Sequence, residues 1–344
     1  MNDYIMCVRN IISNKSIVNL MSNSLGEKED RKFGDEPSES IHFLTVPKGW
    51  DIAVDFKQED SISWFKRVIA DMETFEDENG VKHGNILLHI HGYNTDQKKL
   101  IKKHRQLKKS LKDKFKGIVV SFDWPSKGDP FNYKEDQEDA AESALFIING
   151  LKELTTFNKI YADYNIKIHL LAHSTGAYIV KEAFKDANEF WNVDQIIFIG
   201  ADIPASSKEP FAFYRYCNRV TNYYSSYDWA LTFSEVIEWF SDLIYPYKDS
   251  RRAGKDGLDL DSSPNIVNID CSDYFDKSYT PKKQKQRMND DNEVIGSVSH
   301  SWYIGDDLFT QDMYLTMMNS DNYFDDTRKI TPIRRKFILN TSKV

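Results

Sequence analysis

The fold is decided by the stretch Ile166-Lys167-Ile168-His169-Leu170-Leu171-Ala172-His173-Ser174-Thr175-Gly176, an apolar run that ends at a serine. A helical pattern follows at once, over residues 175–189. Strand, sharp turn and helix together are typical of a nucleophile elbow, which exposes the serine hydroxyl at the strand end. Ala172 and Gly176 are small enough for so tight a turn, although Ala172 stands where the commonest pattern has glycine. The alternative is an ordinary turn in which Ser174 caps the helix.

The base that would activate Ser174 has one candidate. A serine hydroxyl is a weak nucleophile unless a base lies beside it. The partners follow an elbow serine in the order acid, then histidine. Of the eight histidines in the chain, only His300 comes after Ser174. We therefore predict that His300 is the base, although alone it would be interpreted as a surface histidine in a polar loop.

Three carboxylates that follow predicted strands compete for the role of the acid: Asp202, Asp228 and Asp270. The acid normally follows the second strand after the nucleophile, where it accepts the imidazole N–H. That position is Asp228, with Asp202 as the alternative, whereas Asp270 only ends its strand. A cap for the helix beginning near Trp229 would also explain Asp228.

A second turn upstream predicts an oxyanion hole. The apolar run 85–90 leads into His91-Gly92-Tyr93-Asn94. In this architecture such a turn supplies one backbone N–H donor, and the residue after the nucleophile supplies the other. We predict these donors to be the amides of Tyr93 and Thr175. Gly92 allows close approach, and we expect the side chains of His91 and Asn94 to brace the loop, unless they merely cap local backbone groups.

With these residues in view, the chain resembles an α/β-hydrolase. More narrowly, it is similar to a group of bacterial α/β-hydrolases of unknown function. The resemblance extends from about residue 41 to near the C-terminus. The motifs that carry it are His91-Gly92-Tyr93-Asn94, Trp124-Pro125-Ser126, Tyr133-Lys134-Glu135-Asp136, Ala172-His173-Ser174-Thr175-Gly176 and Tyr224-Ser225-Ser226-Tyr227-Asp228-Trp229-Ala230-Leu231. It implies a Ser174–Asp228–His300 triad that hydrolyses an ester-like bond, and it implies no particular substrate. The two-step acyl transfer expected of such a triad needs no metal or organic cofactor.

The order of predicted elements gives the fold class. Strands are predicted over 41–46, 51–56, 85–91, 117–123, 166–172, 195–201, 218–226 and 264–270. Helices are predicted over 61–74, 97–115, 134–156, 175–189 and 229–246. This alternation predicts an α/β protein with a doubly wound, mostly parallel sheet flanked by helices. The charged segments 247–263 and 280–295 are interpreted as loops.

We divide the chain into an N-terminal arm with a polar linker over residues 1–40 and a hydrolase domain over 41–344. Residues 24–40 are polar and rich in charge, as linkers are. The apolar residues before them favour a weak amphipathic helix that docks on the domain or on a partner. A chain of 344 residues with 40% hydrophobic residues is long enough for one large domain.

Composition also bears on the setting. The three cysteines show no metal spacing, and no typical secretory signal or apolar run of membrane-spanning length appears. We therefore expect reduced thiols and a cytoplasmic protein. The net charge is −8, and the sequence contains no signal for an oligomeric state.

Two segments bear on substrate and partners. Helix 97–115 and its flanks carry ten Lys or Arg residues on an otherwise acidic chain. Helix 229–246 is more apolar than one buried stripe requires, which fits either a core helix or a lid over an acyl pocket. We expect a small-molecule or lipid ester as substrate. Peripheral contact with a membrane is compatible with the basic helix. No nucleic acid is expected, since no recognised binding fold accompanies the charge. A surface-active lipase and a non-catalytic binding module remain the rival functions.

Overall fold

The computed structural model describes residues 2–13, 31–49, 57–126, 133–160, 164–185, 193–206, 211–232, 251–291, 297–319 and 321–340. Its strands are β1 (Asp3–Ser13), β2 (Arg31–Val46), β3 (Lys57–Glu59), β4 (Phe75–Glu76), β5 (Lys82–Ile90), β6 (Ile118–Asp123), β7 (Tyr164–His173), β8 (Val193–Ile199), β9 (Cys217–Tyr224), β10 (Ile266–Asp270), β11 (Arg328–Ile330) and β12 (Lys336–Leu339). They form one sheet in the order β11-β12-β10-β9-β8-β7-β5-β6-β1-β2-β3, with β4 paired to β5.

Most of this sheet is parallel. All neighbours from β12 to β1 along that order run parallel. The antiparallel pairs are β1 with β2, β2 with β3, β4 with β5 and β11 with β12. Parallel strands need helical crossovers that cover both faces, and the alternation of strands and helices along the chain supplies them.

Helices cover the two faces of the sheet. They are α1 (Ser61–Asp71), α2 (Gln97–Leu111), α3 (Tyr133–Ile160), α4 (Thr175–Lys185), α5 (described over 229–232), α6 (Ala253–Asp256), α7 (Ser272–Ser278), α8 (Pro281–Asp291), α9 (Val298–Ser301) and α10 (Asp307–Met318). The apolar sides of α1, α3 and α4 pack in one core. Those of α7, α9 and α10, with Leu107 and Leu111 of α2, pack in a second core on the other face.

Alternate residues of the central strands belong to different cores. Leu170 and Ala172 of β7 lie in the first core, and Leu171 between them lies in the second. Successive side chains of a strand point to opposite faces, so a strand buried on both must be apolar at nearly every position. The near-continuous apolar runs in the sequence have this cause.

The parallel strands bring distant residues to one edge. His91 follows β5, Ser174 follows β7, Gly200 follows β8 and Asp228 lies shortly after β9. Carboxyl ends of parallel strands share an edge, and ligands of open α/β sheets bind there. The predicted fold class, a mostly parallel sheet flanked by helices, is confirmed.

The structure of the described residues before residue 41 differs from the predicted arm and linker. Residues 3–13 and 31–40 are not an arm and a linker, because β1 lies beside β6 and the long β2 pairs with β1. The docking helix is also wrong where it overlaps β1, and its remainder lies outside the described residues, as does the predicted strand 51–56. Of these two strands, the sequence predicts only residues 41–46 of β2. Strand β1 is not predicted because its polar Arg9 is buried against Asp123, which is far away in the sequence.

Two further segments differ from the expectation. Residues 281–291, expected as a loop, form α8, and α6 interrupts the predicted loop 247–263. Helix α8 has no apolar stripe, so periodicity gave no signal for it. The short strands β11 and β12 and the helices α7 and α10 near the C-terminus were likewise not predicted. Within the described residues, no helix is both long and apolar enough to cross a bilayer.

Candidate active site

Ser174 occupies a strained turn between β7 and α4. Its φ is +55°, a conformation that residues other than glycine adopt rarely. The Ser174 amide donates to the Ile199 carbonyl at 3.1 Å, and its own carbonyl accepts from the amides of Ala177 at 2.9 Å and Asp202 at 3.2 Å. Three main-chain bonds therefore hold the serine in this conformation. Such overdetermined strain is typical of functional sites.

His300 and Asp228 form a shielded pair at the same edge. His300 Nδ1 lies 2.7 Å from Asp228 Oδ2, with side-chain exposures of 12% and 0%. Burial lowers the pKa of His300, but the charge and hydrogen bond of Asp228 outweigh burial, so the pKa lies above its ordinary value. The carboxylate accepts from Nδ1, which leaves Nε2 as the nitrogen able to take a proton.

The two interpretations of Asp228 hold together. Its Oδ1 accepts from the Leu231 amide at 3.1 Å, which is a cap at the start of α5. Its Oδ2 is the atom bonded to His300. One carboxylate has several lone pairs, so capping and orienting the imidazole do not compete.

The alternative acids have other partners. Asp202 Oδ1 lies 3.3 Å from Arg252 Nε, and both side chains are buried. Asp270 accepts from Ser272 Oγ at 2.6 Å and from the Tyr224 hydroxyl at 3.0 Å. Asp228 is thus the predicted acid that lies against His300.

His173 joins the nucleophile turn to the loop of His300. Its Nε2 donates to the His300 carbonyl at 3.0 Å, and the ring centroids are 4.7 Å apart. Burial holds the pKa of His173 well below its usual range, and nearby His300 lowers it further. This neutral imidazole fixes the backbone of residue 300 beside the elbow. In the sequence, His173 is one residue of the elbow motif and has no predicted role of its own.

Gly200 gives the His300–Asp228 pair its space. Its φ is +52°, and a methyl group there would lie 3.0 Å from His300 Nδ1 and 3.3 Å from Asp228 Oδ2. A side chain at this position would therefore press on the pair, and the backbone conformation disfavours one as well. The sequence offered only a glycine at a strand end as a signal.

Within the described part of the chain, no hydrogen bond joins Ser174 to His300. Hydrogen bonds hold the backbone of both residues. Main-chain bonds hold Ser174, and His173 Nε2 holds the carbonyl of His300. Catalytic hydrogen bonds are often long before substrate arrives and tighten in the complex.

Residues 91–95, which contain the turn predicted to form an oxyanion hole and are called the oxyanion loop below, pack directly on the elbow. A methyl group on Gly92 would lie 2.6 Å from Ser174 Cβ and 2.9 Å from the His173 carbonyl oxygen. His91 Nδ1 donates to the Gly92 carbonyl at 2.8 Å. In a trans peptide the carbonyl and the following N–H point in opposite directions. This bond therefore turns the Tyr93 amide away from His91.

The other predicted donor, the Thr175 amide, lies at the start of α4. The first amides of a helix have no partner within the helix, and the helix dipole makes this end favourable to negative charge. Thr175 is 2% exposed, so the helix start is shielded from bulk water. The elements thus bring both predicted donor residues to the nucleophile turn.

The motif around Trp124 supports the oxyanion loop. The Trp124 ring stacks on His91 with centroids 5.3 Å apart, and its Nε1 donates to the His91 carbonyl at 2.9 Å. The Trp124 amide lies 3.2 Å from His91 Nε2. Burial lowers the pKa of His91, so a neutral ring that donates from Nδ1 and accepts at Nε2 satisfies both contacts.

The side chain of Asn94 was predicted to brace the loop, but most of the hydrogen bonds at this residue involve its main chain. Asn94 is exposed, with φ +54°, and its amide donates to Ser126 Oγ at 2.8 Å. Lys99 Nζ donates to the Asn94 carbonyl at 3.1 Å and to its Oδ1 at 3.3 Å. Asparagine adopts positive φ more readily than most residues, which suits it to this turn.

The predicted lid helix is only partly described. Trp229, at its start, is 70% exposed, and Tyr227 before the acid is 43% exposed, while Leu231 is buried. Residues 233–250 lie outside the described part, as do the side chains of Tyr133–Asp136. The described residues bring together no cluster of three or more His, Cys, Asp or Glu able to hold a metal ion.

A protein-family profile described as "Alpha/beta hydrolase of unknown function (DUF900)" matches residues 70–270. The chain belongs to this family. The DUF900 match contains Ser174, Asp228 and the oxyanion loop, whereas His300 and strand β1 lie outside it. No curated protein matches the chain.

Solved structures give weak likenesses to this DUF900 chain. One is an acylaminoacyl peptidase from Pyrococcus horikoshii, with 12% identity, a TM-score of 0.28 and coverage of 70% of this chain but only 37% of the peptidase. Another is MenH from S. aureus, with 13% identity, a TM-score of 0.28 and coverage of 72% and 98%. A lipase-esterase related protein from Clostridium acetobutylicum has 18% identity, a TM-score of 0.23 and coverage of 54% and 73%.

Proposed function

We propose that this protein is a serine hydrolase that cleaves a carboxylic ester-like bond through an acyl-enzyme intermediate. The observation that carries the proposal is the buried 2.7 Å contact between His300 Nδ1 and Asp228 Oδ2, beside a serine held at positive φ. A base oriented by a carboxylate next to a nucleophile is the general arrangement for acyl transfer. Membership of an α/β-hydrolase family supports the reaction class.

In the proposed mechanism His300 Nε2 takes the hydroxyl proton of Ser174 as the oxygen attacks the substrate carbonyl. Asp228 holds the imidazole tautomer and stabilises the imidazolium. The amides of Tyr93 and Thr175 donate to the oxyanion, at a helix start where negative charge is favoured. His300 then protonates the leaving group and activates a water molecule that releases the acid.

Labelling with a fluorophosphonate tests the nucleophile. The wild-type chain is expected to form one covalent adduct, located on Ser174 by peptide mass spectrometry. Ser174→Ala is expected to abolish the adduct, while Ser63→Ala, which removes an exposed serine of α1, labels as the wild type does. Absence of a label on folded wild-type protein would instead favour a non-catalytic binding module.

A lipase or phospholipase that works at a membrane surface is the second candidate. The exposed Trp229 beside the acid favours it, since aromatic side chains partition into bilayer interfaces. A chain-length series of chromogenic esters separates the two candidates. Activity that rises with acyl length and with anionic vesicles, and that falls in Trp229→Ala, supports the lipase. A preference for short chains in solution supports the esterase.

A further inference from the structure

Strand β1 brings an arginine to the oxyanion loop from outside the family-matched region. It lies parallel to β6, with Cys7 opposite Asp123. Arg9, two residues further on, is only 2% exposed. A buried arginine must find partners for a guanidinium with five N–H donors.

The Arg9 guanidinium joins the end of β6 to the oxyanion loop. Its Nε donates to Asp123 Oδ1 at 2.8 Å, and one terminal nitrogen donates to the Thr95 carbonyl at 2.9 Å. The other terminal nitrogen lies 3.4 Å from Asp35, whose side chain is 72% exposed. The planar fork fixes the angle between its donors, so the position of Asp123 determines where the Thr95 carbonyl is held.

Asp123 is itself fixed on several sides. It is fully buried and accepts from Gln97 Nε2 at 3.3 Å and from Cys7 Sγ at 3.4 Å. Burial raises its pKa, but the adjacent charge of Arg9 outweighs burial and lowers the pKa to about 2. A buried charged pair seldom stabilises a fold more than packed apolar residues would. The pair is therefore better explained by the geometry that it defines than by a gain in stability.

We propose that Arg9 is a positioning residue for the oxyanion hole. His91 holds the Gly92 carbonyl, Ser126 holds the Asn94 amide, and Arg9 holds the Thr95 carbonyl. The first two bonds fix the peptides on either side of Tyr93, whose amide is the proposed donor, and the Arg9 bond fixes the peptide between Thr95 and Asp96, where the loop ends. The inference rests on the proposed function, because it concerns the same oxyanion hole.

The test compares fluorophosphonate labelling rates of Arg9→Lys and wild type, each normalised to the folded fraction from thermal unfolding. Lysine keeps the charge beside Asp123, but a single ammonium cannot replace the fork that also reaches Thr95. The expected result is a labelling rate roughly tenfold lower, since small displacements of a catalytic group reduce rates by such factors. The pH midpoint of labelling is expected to stay unchanged, because Arg9 does not contact His300.

Arg105→Lys is the matched control. Arg105 donates to Asp3 of the same strand β1 at 2.7 Å and does not contact the oxyanion loop through any described hydrogen bond. The Arg105→Lys variant should therefore label at the wild-type rate.

Should Arg9→Lys fail to fold, the double variant Arg9→Gln with Asp123→Asn removes both charges together and takes its place. A folded variant that labels at the wild-type rate overturns the proposal. Failure of both variants to fold also overturns it, because the pair would then be a requirement of the fold. A wild type without label defeats the proposed function itself.

Discussion

Two sets of serine, histidine and aspartate can be compared within the described part of the chain, and they differ in their place in the sheet, in the partners of the acid and in the pKa of the histidine. The inner set lies between α2, β6 and β1. Ser121 Oγ is 2.8 Å from His104 Nδ1, and His104 Nε2 is 3.6 Å from Asp3 Oδ1. None of the three side chains is more than slightly exposed. The outer set is Ser174, His300 and Asp228, at the carboxyl edge of the sheet.

The contrast shows that residue types alone do not define a site. In the inner set the carboxylate of Asp3 is bound by Lys108 at 2.6 Å and by Arg105 at 2.7 Å. Burial lowers the pKa of His104 to about 3, against a smaller opposing effect of Asp3. In the outer set the carboxylate bonds the imidazole directly, and the pKa of His300 is raised. Strand-end position and a directly bonded acid separate the two.

The largest expected effect is on the acid of the outer set. Asp228→Asn should lower the labelling rate of Ser174 by about ten-thousandfold, because the wrong imidazole tautomer then faces the serine. Asp3→Asn is the counterpart in the inner set and should leave the rate per folded molecule unchanged. Stopped-flow or gel-based labelling of both variants checks this. A large loss of rate in Asp3→Asn would break the distinction between the two sets.

A methyl group at the elbow should have the next largest effect. Gly92→Ala would press on Ser174 Cβ and on the main-chain oxygen of His173, at 2.6 and 2.9 Å. We expect roughly a hundredfold lower labelling rate, as when an oxyanion donor is lost. Gly84→Ala is a control on β5, the strand that leads into the oxyanion loop, with a contact as short as 2.5 Å but to the flexible end of Met72. Equal labelling rates in the two variants would contradict the proposed role of the oxyanion loop.

The pH dependence of labelling should be smaller but diagnostic. His300 must be neutral to act as a base, and its pKa is raised, so the rate should rise with pH with a midpoint above the ordinary histidine value. Asp228→Asn removes the main cause of the raised pKa and should shift the midpoint downward. Labelling rates measured from pH 5 to 9 test this, and a midpoint that does not move would count against the pair.

The smallest expected effect separates the two histidines through stability. The pKa of His104 is lowered to about 3 in the fold, so its contribution is present above its unfolded pKa, near 6.5, and is lost as pH falls toward 3. The pKa of His300 is raised, so its contribution is present below its unfolded pKa and is lost as pH rises through the folded value. Each slope is at most about 1.4 kcal/mol per pH unit.

Thermal unfolding of two variants measures these slopes. His104→Gln should lose less unfolding free energy than wild type as the pH falls toward 3. His300→Gln should lose less than wild type as the pH rises through the folded pKa of His300. The slopes are compared rather than the absolute stabilities, because each substitution also alters packing. Each substitution changes the slope of unfolding free energy against pH relative to wild type. Changes of the same sign in the two variants would contradict the opposite environments of the two rings.

Much of the fold was predictable, because strands buried on both faces must be apolar nearly throughout. The order of Ser174, Asp228 and His300 followed from the same strands. Strand β1 was not predictable, since its buried Arg9 depends on Asp123, a partner 114 residues away. Helix α8 escaped because it has no apolar stripe. His173 and Gly200 were missed because their importance lies in contacts with His300, which only the folded chain brings near.

The pairing of β1 with β6 has a practical consequence for anyone who expresses part of this chain. A recombinant fragment trimmed to the family match at residue 70 would remove β1 and leave the hydrogen-bonding edge of β6 open to solvent. An uncovered strand edge is a template for pairing with other molecules. Such a fragment should aggregate, and useful fragment boundaries lie upstream of β1.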